Sequence, residues 1–482
     1  MEKESWIPKR YILSGLIFLG FFNMYALRVN LNVAIGAMAK NHTILLNGHE
    51  VEEEAEFKWS SRLQGVVLGS FYYGYIALQI VGGGLAIKLG ATRLYGLSLF
   101  TASFLTLLTP MVTRCSVYLL VVIRIIEGLV LKWAPSSERA TLLTISVAGC
   151  TIGSVATMPI TGLLTMTGYD GGWPLVFYCF GLSGMLWYTL WLFLVYETPS
   201  EHPTISVKEK EYIEQTAVSG EESKGEIPWR KLLTSHRVWA ITAAAFAADW
   251  GLYVLLICMP LYLLDIVHFD LQQMGFVAAV PFLFKSFSCP FGGFLSDFLL
   301  RRGFLSILGA RRLFFTLGAT TCIYLLLAGY TKDSTLIVFY IALAGFASGL
   351  TYAGFHVNML DIAPRNASII MGLCNTVGGT TGFITPMMVG FLTRGKTAQE
   401  WKTVFWITLM IYICCTSLFC IFITDKRQEW DKPSYEVIPE LSLSIVELDH
   451  EDSLEKKNEN EKIGDPGQED SVENNGEKDK NE

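Results

Sequence analysis

Twelve apolar blocks of roughly twenty residues constrain this chain more than any other feature in it. Six lie near residues 11–39, 62–86, 94–112, 116–133, 140–167 and 173–195. After a polar stretch, six more lie near 238–264, 272–299, 312–330, 334–357, 367–393 and 403–424. Most approach the ~20 residues that an α-helix needs to cross a hydrocarbon core. Apolar residues fill these blocks rather than marking one stripe, so their solvent is lipid. Only 17% of the 482 residues are charged, against about a quarter in soluble domains. The blocks predict an all-α membrane protein of two six-helix bundles, 11–196 and 238–425. A cytosolic N-terminus (1–10), a cytosolic central loop (197–237) and a disordered acidic tail (426–482) complete it.

The formal charge of −7 resides in that tail. From Asp449 onward, thirteen acids face five lysines, leaving the remainder near neutral. The balance gives no reason to expect nucleic acid as a partner. "NENEKIGDPGQEDSVENNGEKDKNE" is too polar to bury a core and reads as disordered. Cysteines such as Cys150, Cys258, Cys322 and Cys374 lie inside apolar blocks without CxxC spacing. They read as small buried hydrophobes, not disulfides or metal ligands. No nucleotide loop, metal cluster or nucleophile constellation appears, so no enzyme, metal site or cofactor is expected. The first apolar run is too long for a signal-peptide core and has no small-residue cleavage site, so it is read as a retained helix.

Basic residues set the orientation. Lys9, Arg10, Lys88, Arg93, Lys132, Arg139, Arg301, Arg302, Arg311, Arg312, Arg365, Lys426 and Arg427 fall on one side if the helices alternate. That side is expected to be cytosolic, with both termini on it. "NHTILLNGHEVEEEAEF" then faces the other side as a loop, with Asn41 in a glycosylation sequon. The sequon at Asn366 falls on the cytosolic side and is expected to stay unmodified. "GGLAIKLGATR" (83–93) and "GFLSDFLLRRG" (293–303) close the second and eighth blocks alike. In both, glycines (Gly83, Gly90, Gly293) mark close helix approach, and Lys88 or Asp297 and the arginines meet the interface. A repeat at matching positions of two six-helix halves is what transporter architecture predicts.

Charges at membrane depth are the candidate functional groups. Arg28 lies in "NMYALRVNLNVA", and an arginine at that depth costs at least ~2.5–3.5 kcal/mol. With Asn30 and Asn32 beside it, the segment must face inward, where the guanidinium fork suits a carboxylate or phosphate. The alternative is a fixed ion pair between helices. Arg124 and Glu127 share one helix face, either as a lock released when Glu127 is protonated or as a permanent salt bridge. Asp249 and Lys285, one helix apart, are read as a mutual pair, structural or proton-relaying. Tyr25, Tyr72, Tyr73 and Tyr253 are candidate cavity donors. His356, Asn358 and Asp361 precede Pro364, where a helix ends, and are read as structural or gating residues. "YEVI" (Tyr435 to Ile438) has the form of a tyrosine-based sorting signal, through which the tail would meet sorting adaptors.

Several stretches carry a finer likeness: "YALRVNLNVAI", "RIIEG", "KWAPSSER", "HPTISVKEKEYI", "IPWRKLLTSHRVWAI" and "HVNMLDIAPRNASIIMGLCNT". In order, from about Lys9 to Trp430, they resemble the anion:cation symporter family of the major facilitators, which includes sialin, the vesicular glutamate transporters and the sodium-phosphate cotransporters. The resemblance implies alternating access around a central site where Arg28 and Arg124 bind a small anion, with protons or sodium as coupling ion. It implies a monomer in a lysosomal, vesicular or plasma membrane. Ile87 stands where the family's loop motif usually has an acid, whereas Asp297 keeps it. Glutamate-type relatives place an arginine where this chain has Ala248, so the pattern leans to the sialin or phosphate branches. "RIIEGLVLKWAP" also lacks about twelve residues, including a second glutamate, that relatives carry before "WAP". At ~1.5 Å per residue that is some 18 Å of helix. A shortened fourth helix and impaired coupling are therefore expected. Three functions follow: proton-coupled transport of sialic acid, an acidic amino acid or another organic anion; sodium-dependent phosphate or organic-anion cotransport; or a transport-impaired isoform.

Overall fold

The computed structural model describes residues 9–46, 49–77, 91–131, 140–196, 203, 205–206 and 228–431. In the N-terminal half, α1 (Lys9–Ala39) leads into a hairpin of β1 (His42–Leu46) and β2 (His49–Glu53). Next come α2 (Ser61–Ala77), α3 (Ala91–Cys115), α4 (Val117–Leu131), α5 (Ala140–Thr165) and α6 (Trp173–Leu194). The C-terminal half holds α7 (His236–Val267), α8 (Leu271–Arg301), α9 (Ile307–Tyr330), α10 (Ser334–Ile362), α11 (Ala367–Leu392) and α12 (Ala398–Phe422). Ten of these are long and apolar enough to span a membrane. The exceptions, α2 and α4, both stop where the described residues stop. Each apolar block therefore becomes one helix. The fold is an all-α membrane bundle.

Backbone satisfaction explains why the blocks become helices, since lipid offers no partner for a free N–H or C=O. Local capping sharpens several boundaries. Asp333 accepts from Thr335 N and Leu336 N at the start of α10, and Thr397 with Glu400 forms a capping box on α12. The segment after α1 forms an antiparallel hairpin with Leu46 opposite His49. A second tie holds the chain that follows it. Arg114 on α3 donates to Glu56 at 2.7 Å and to Asp170 at 2.9 Å, and Trp173 Nε1 donates to Glu56 at 2.8 Å.

The two halves meet at the end carrying the hairpin. There α5 crosses α8 so closely that a Cβ on Gly275 would lie 2.7 Å from Met158 O, and one on Gly162 2.7 Å from Leu271 O. Helix α2 packs on α11 in the same way, with Gly69 against Phe383. Lys40 at the end of α1 pairs with Asp265 at the end of α7, and Lys396 stands 3.9 Å from the same carboxylate. Toward the opposite end, a Cβ on Gly293 or Gly372 would meet nothing within 4 Å.

Several expectations change here. Gly293 does not mark a close approach; Gly292 does, against Leu350 and Ala353 of α10. A one-residue step turns a helix by about 100°, enough to swap packed space for open space. Asp297 is exposed. Arg311 is no headgroup contact but is 6% exposed, donating to Asp361 at 2.8 Å. Asn358 donates to Thr424 O at 2.9 Å, so Asn358 and Asp361 tie α10 to α9 and to the chain after α12. All ten cysteines are free, with Cys258, Cys322 and Cys374 buried and Cys115, Cys179 and Cys414 exposed. Helix α4 is described over 15 residues. Its continuation past Leu131 lies outside the described residues, as do Gly83, Lys88, Gly90, Lys132, Arg139, Tyr435, Ile438 and the acidic tail.

Candidate substrate-binding site

Arg28 sits midway along α1, 9% exposed, inside a cage of aromatic side chains. Its Nε donates to the Tyr72 hydroxyl at 3.2 Å and its Nη2 to the Tyr253 hydroxyl at 2.9 Å. The guanidinium carbon stands 4.9 Å from the ring centroid of Tyr72, 5.3 Å from those of Tyr25 and Tyr75, 5.7 Å from Phe71 and 5.8 Å from Tyr253. Tyr253 belongs to α7, so the cage draws on both halves. Below it, Asn32 Nδ2 donates to Leu256 O at 3.1 Å, while Asn30 is fully buried with neither amide atom partnered among the described residues.

No carboxylate lies within 4 Å of Arg28 among the described residues, which excludes the fixed ion pair in this conformation. Cation–π contacts contribute ~0.5–2 kcal/mol each, and hydrogen bonds from a charged donor about 1.5–3 kcal/mol. Together these offset much of the burial cost without cancelling the charge. The positive charge is held without a carboxylate against it among the described residues.

Arg124 differs. It is 2% exposed and Glu127 is 1% exposed. Its Nη1 donates to Glu127 at 2.8 Å and to Leu27 O at 3.1 Å, and its Nη2 donates to Arg28 O at 3.2 Å. Thr106 Oγ1 on α3 donates to the other Glu127 oxygen at 3.0 Å. Arg124 was expected to face the cavity as an anion contact; here it is occupied by protein acceptors. Its position makes it a brace, fixing the backbone on which Arg28 stands.

Asp249 and Lys285 do not form the expected direct pair: no ion pair within 4 Å joins them among the described residues. Lys285 Nζ instead lies 5.0 Å from the Tyr352 ring centroid, and Asp249 packs against Gly378 of α11. Both side chains are half-buried. Tyr73 turns away from Arg28, with its hydroxyl on Met387 Sδ at 2.7 Å. His356 stacks on Tyr352 at 4.5 Å. A π-helical turn, Tyr352–His356, aligns those two rings, and another, Val254–Cys258, follows Tyr253. Such turns often mark functional sites in helices. Phe71, Tyr75, Thr106 and Tyr352 escaped the sequence reading. The available signal was "FYYGY", which puts residues 71, 72 and 75 on one face of α2.

The family model described as Major Facilitator Superfamily matches residues 16–308 and 302–448. The chain belongs to the major facilitator superfamily. It is 38% identical over 448 residues to vesicular glutamate transporter 3 of Danio rerio, covering 89% of this chain and 75% of that protein. It is 37% identical over 472 residues to vesicular glutamate transporter 2 of Homo sapiens, covering 94% and 79%. These matches place it in the anion transporter family of the superfamily. Among solved structures, an inward-facing, unoccupied bacterial homolog of the human lysosomal transporter Spinster superposes with a TM-score of 0.68 at 16% identity, covering 88% of this chain and all of that one. A D-xylose-proton symporter gives 0.59 at 15% identity, covering 87% and 99%. This facilitator is a multi-pass membrane transporter and not an enzyme. Its leaning to the sialin or phosphate branches rested on Ala248, a single position, and these relatives lend it no support.

Proposed function

We propose that this facilitator is a secondary carrier of organic anions that alternates access around Arg28. One observation carries the reading: a caged guanidinium in the middle of the bundle with no carboxylate against it. The cage spans the two halves through Tyr72 and Tyr253, so an anion replacing those hydroxyls changes the contact between halves. The similarity to vesicular glutamate transporters favours an acidic amino acid, and a vesicular membrane with both termini cytosolic, over sialic acid or phosphate. Coupling to protons is assigned to Glu127, whose protonation removes the charge that balances Arg124 and so weakens the brace between α4 and α1, and to Asp249. Sodium coupling is the competing reading. A further reading is an isoform whose fold is intact and whose coupling is weakened, because "RIIEGLVLKWAP" lacks residues that relatives carry there.

Purified protein in proteoliposomes tests these readings together. Uptake of radiolabelled L-glutamate, sialic acid and phosphate is measured under imposed proton, sodium and voltage gradients. Anion uptake that follows the proton gradient and is lost in Arg28→Gln supports the proposal. Uptake untouched by Arg28→Gln overturns the role of the cage. A sodium requirement moves coupling to the second reading, and folded protein silent under every gradient moves it to the third.

A further inference from the structure

The C-terminal half brings two charges to the cavity that the Arg28 cage does not use. Exposed side chains Phe276, Leu283, Phe287, Phe291 and Phe294 mark the lipid face of α8. Lys285 stands two residues from both Leu283 and Phe287. At about 100° per residue it points some 200° away from each, into the bundle. Its ammonium lies over Tyr352, whose ring stacks on His356. Asp249 is four residues before Tyr253 on α7, hence one turn along the same face, and Tyr253 accepts from Arg28. Asp249 lies within electrostatic reach of both Lys285 and Arg28 while bonded to neither. Asp249 thus lies within reach of two cations, one from each half, and is paired with neither.

We propose that Lys285 is a second cationic contact for the transported solute, which carries two anionic groups, one taken by Arg28 and one by Lys285. Asp249 is the counter-charge that Lys285 faces when the carrier is empty. This rests on the reading that Arg28 binds an anion. An aromatic face stabilises an ammonium only partly, so Lys285 has electrostatic demand left for a ligand. Its flexible four-carbon stem lets it swing from the Tyr352 ring to a bound anionic group. A solute bridging the cations of the two halves draws them together, which a solute with one anionic group does not.

The full chain in proteoliposomes decides this, with succinate and L-glutamate compared against lactate and gluconate. The readout is the ratio of KM for the dicarboxylates to KM for the monocarboxylates. Lys285→Met is expected to raise this ratio at least tenfold, Lys285→Arg to keep it within about threefold of wild type, and Asp249→Asn to lower the dicarboxylate KM. An unchanged ratio in Lys285→Met, with Arg28→Gln abolishing uptake, overturns this proposal and leaves the anion-carrier reading standing. Wild-type protein that carries only monocarboxylates also overturns it. Wild-type protein that carries no anion overturns both. Should Lys285→Met fail to elute as a folded species, Lys285→Gln is read by the same ratio.

Discussion

Neutralising Glu127 tests the brace beneath the site. Glu127 and Arg124 are 1% and 2% exposed, so removing one charge leaves the other without bulk water. Stripping one partner from a buried pair costs about 3–5 kcal/mol. In Glu127→Gln the amide oxygen still accepts from Arg124 Nη1, and the carbonyls of Leu27 and Arg28 remain at 3.1 and 3.2 Å. The lower end, ~3 kcal/mol, is therefore expected. Removing both charges in Arg124→Met/Glu127→Leu strands neither and fills similar volume, so the double variant should fall within ~1–2 kcal/mol of wild type. The assay is reversible unfolding in mixed detergent–SDS micelles, followed by tryptophan fluorescence, for both single variants and the pair. With each single variant costing ~3 kcal/mol or more and the pair ~1–2 kcal/mol, the reasoning predicts a coupling of at least ~4 kcal/mol between the sites. Additive losses, or a Glu127→Gln variant within ~0.5 kcal/mol of wild type, would show that the pair does not carry the charge balance and refute the brace.

Other perturbations give equally definite outcomes. A Cβ on Gly128 of α4 would press into Phe71 O of α2, and one on Gly74 into Ile125 O. Gly128→Leu should therefore cost ~3 kcal/mol or more, read as loss of a monodisperse peak after solubilisation. Asp265→Asn removes the carboxylate that Lys40 and Lys396 share at the hairpin end. It should loosen that end, measured as faster maleimide labelling of Cys258 when this buried residue is the sole cysteine. Asn41 is exposed beside the hairpin, so Asn41→Gln should abolish the glycosidase-sensitive mass of protein from a secretory host and Asn366→Gln should leave it unchanged. Inserting the twelve or so residues that relatives carry before "WAP" should raise anion uptake; equal uptake by both forms would mean that the short α4 suffices.

The inter-half geometry links these outcomes. Among the described residues, close packing between halves concentrates at the hairpin end, through α5 on α8, α2 on α11, and Lys40 with Asp265. Gly293 and Gly372 face open space toward the other end.

By itself, the sequence determined the solvent and the element count. Twelve apolar blocks, each long enough to cross lipid, predict helices, and the pattern of lysines and arginines predicts which side is cytosolic. It also isolated Arg28, because a charge at membrane depth is too costly to keep without purpose. Only the tertiary structure decided which charges are already spent. Arg28 and Arg124 read alike along the chain, yet one meets tyrosine hydroxyls and rings while the other is taken up by Glu127 and two carbonyls. Asp249 and Lys285 looked like partners because lipid would force them together. The fold instead leaves each half-buried, with no ion pair between them among the described residues. Spacing along one helix fixes which residues share its face; what that face meets depends on how separate helices cross.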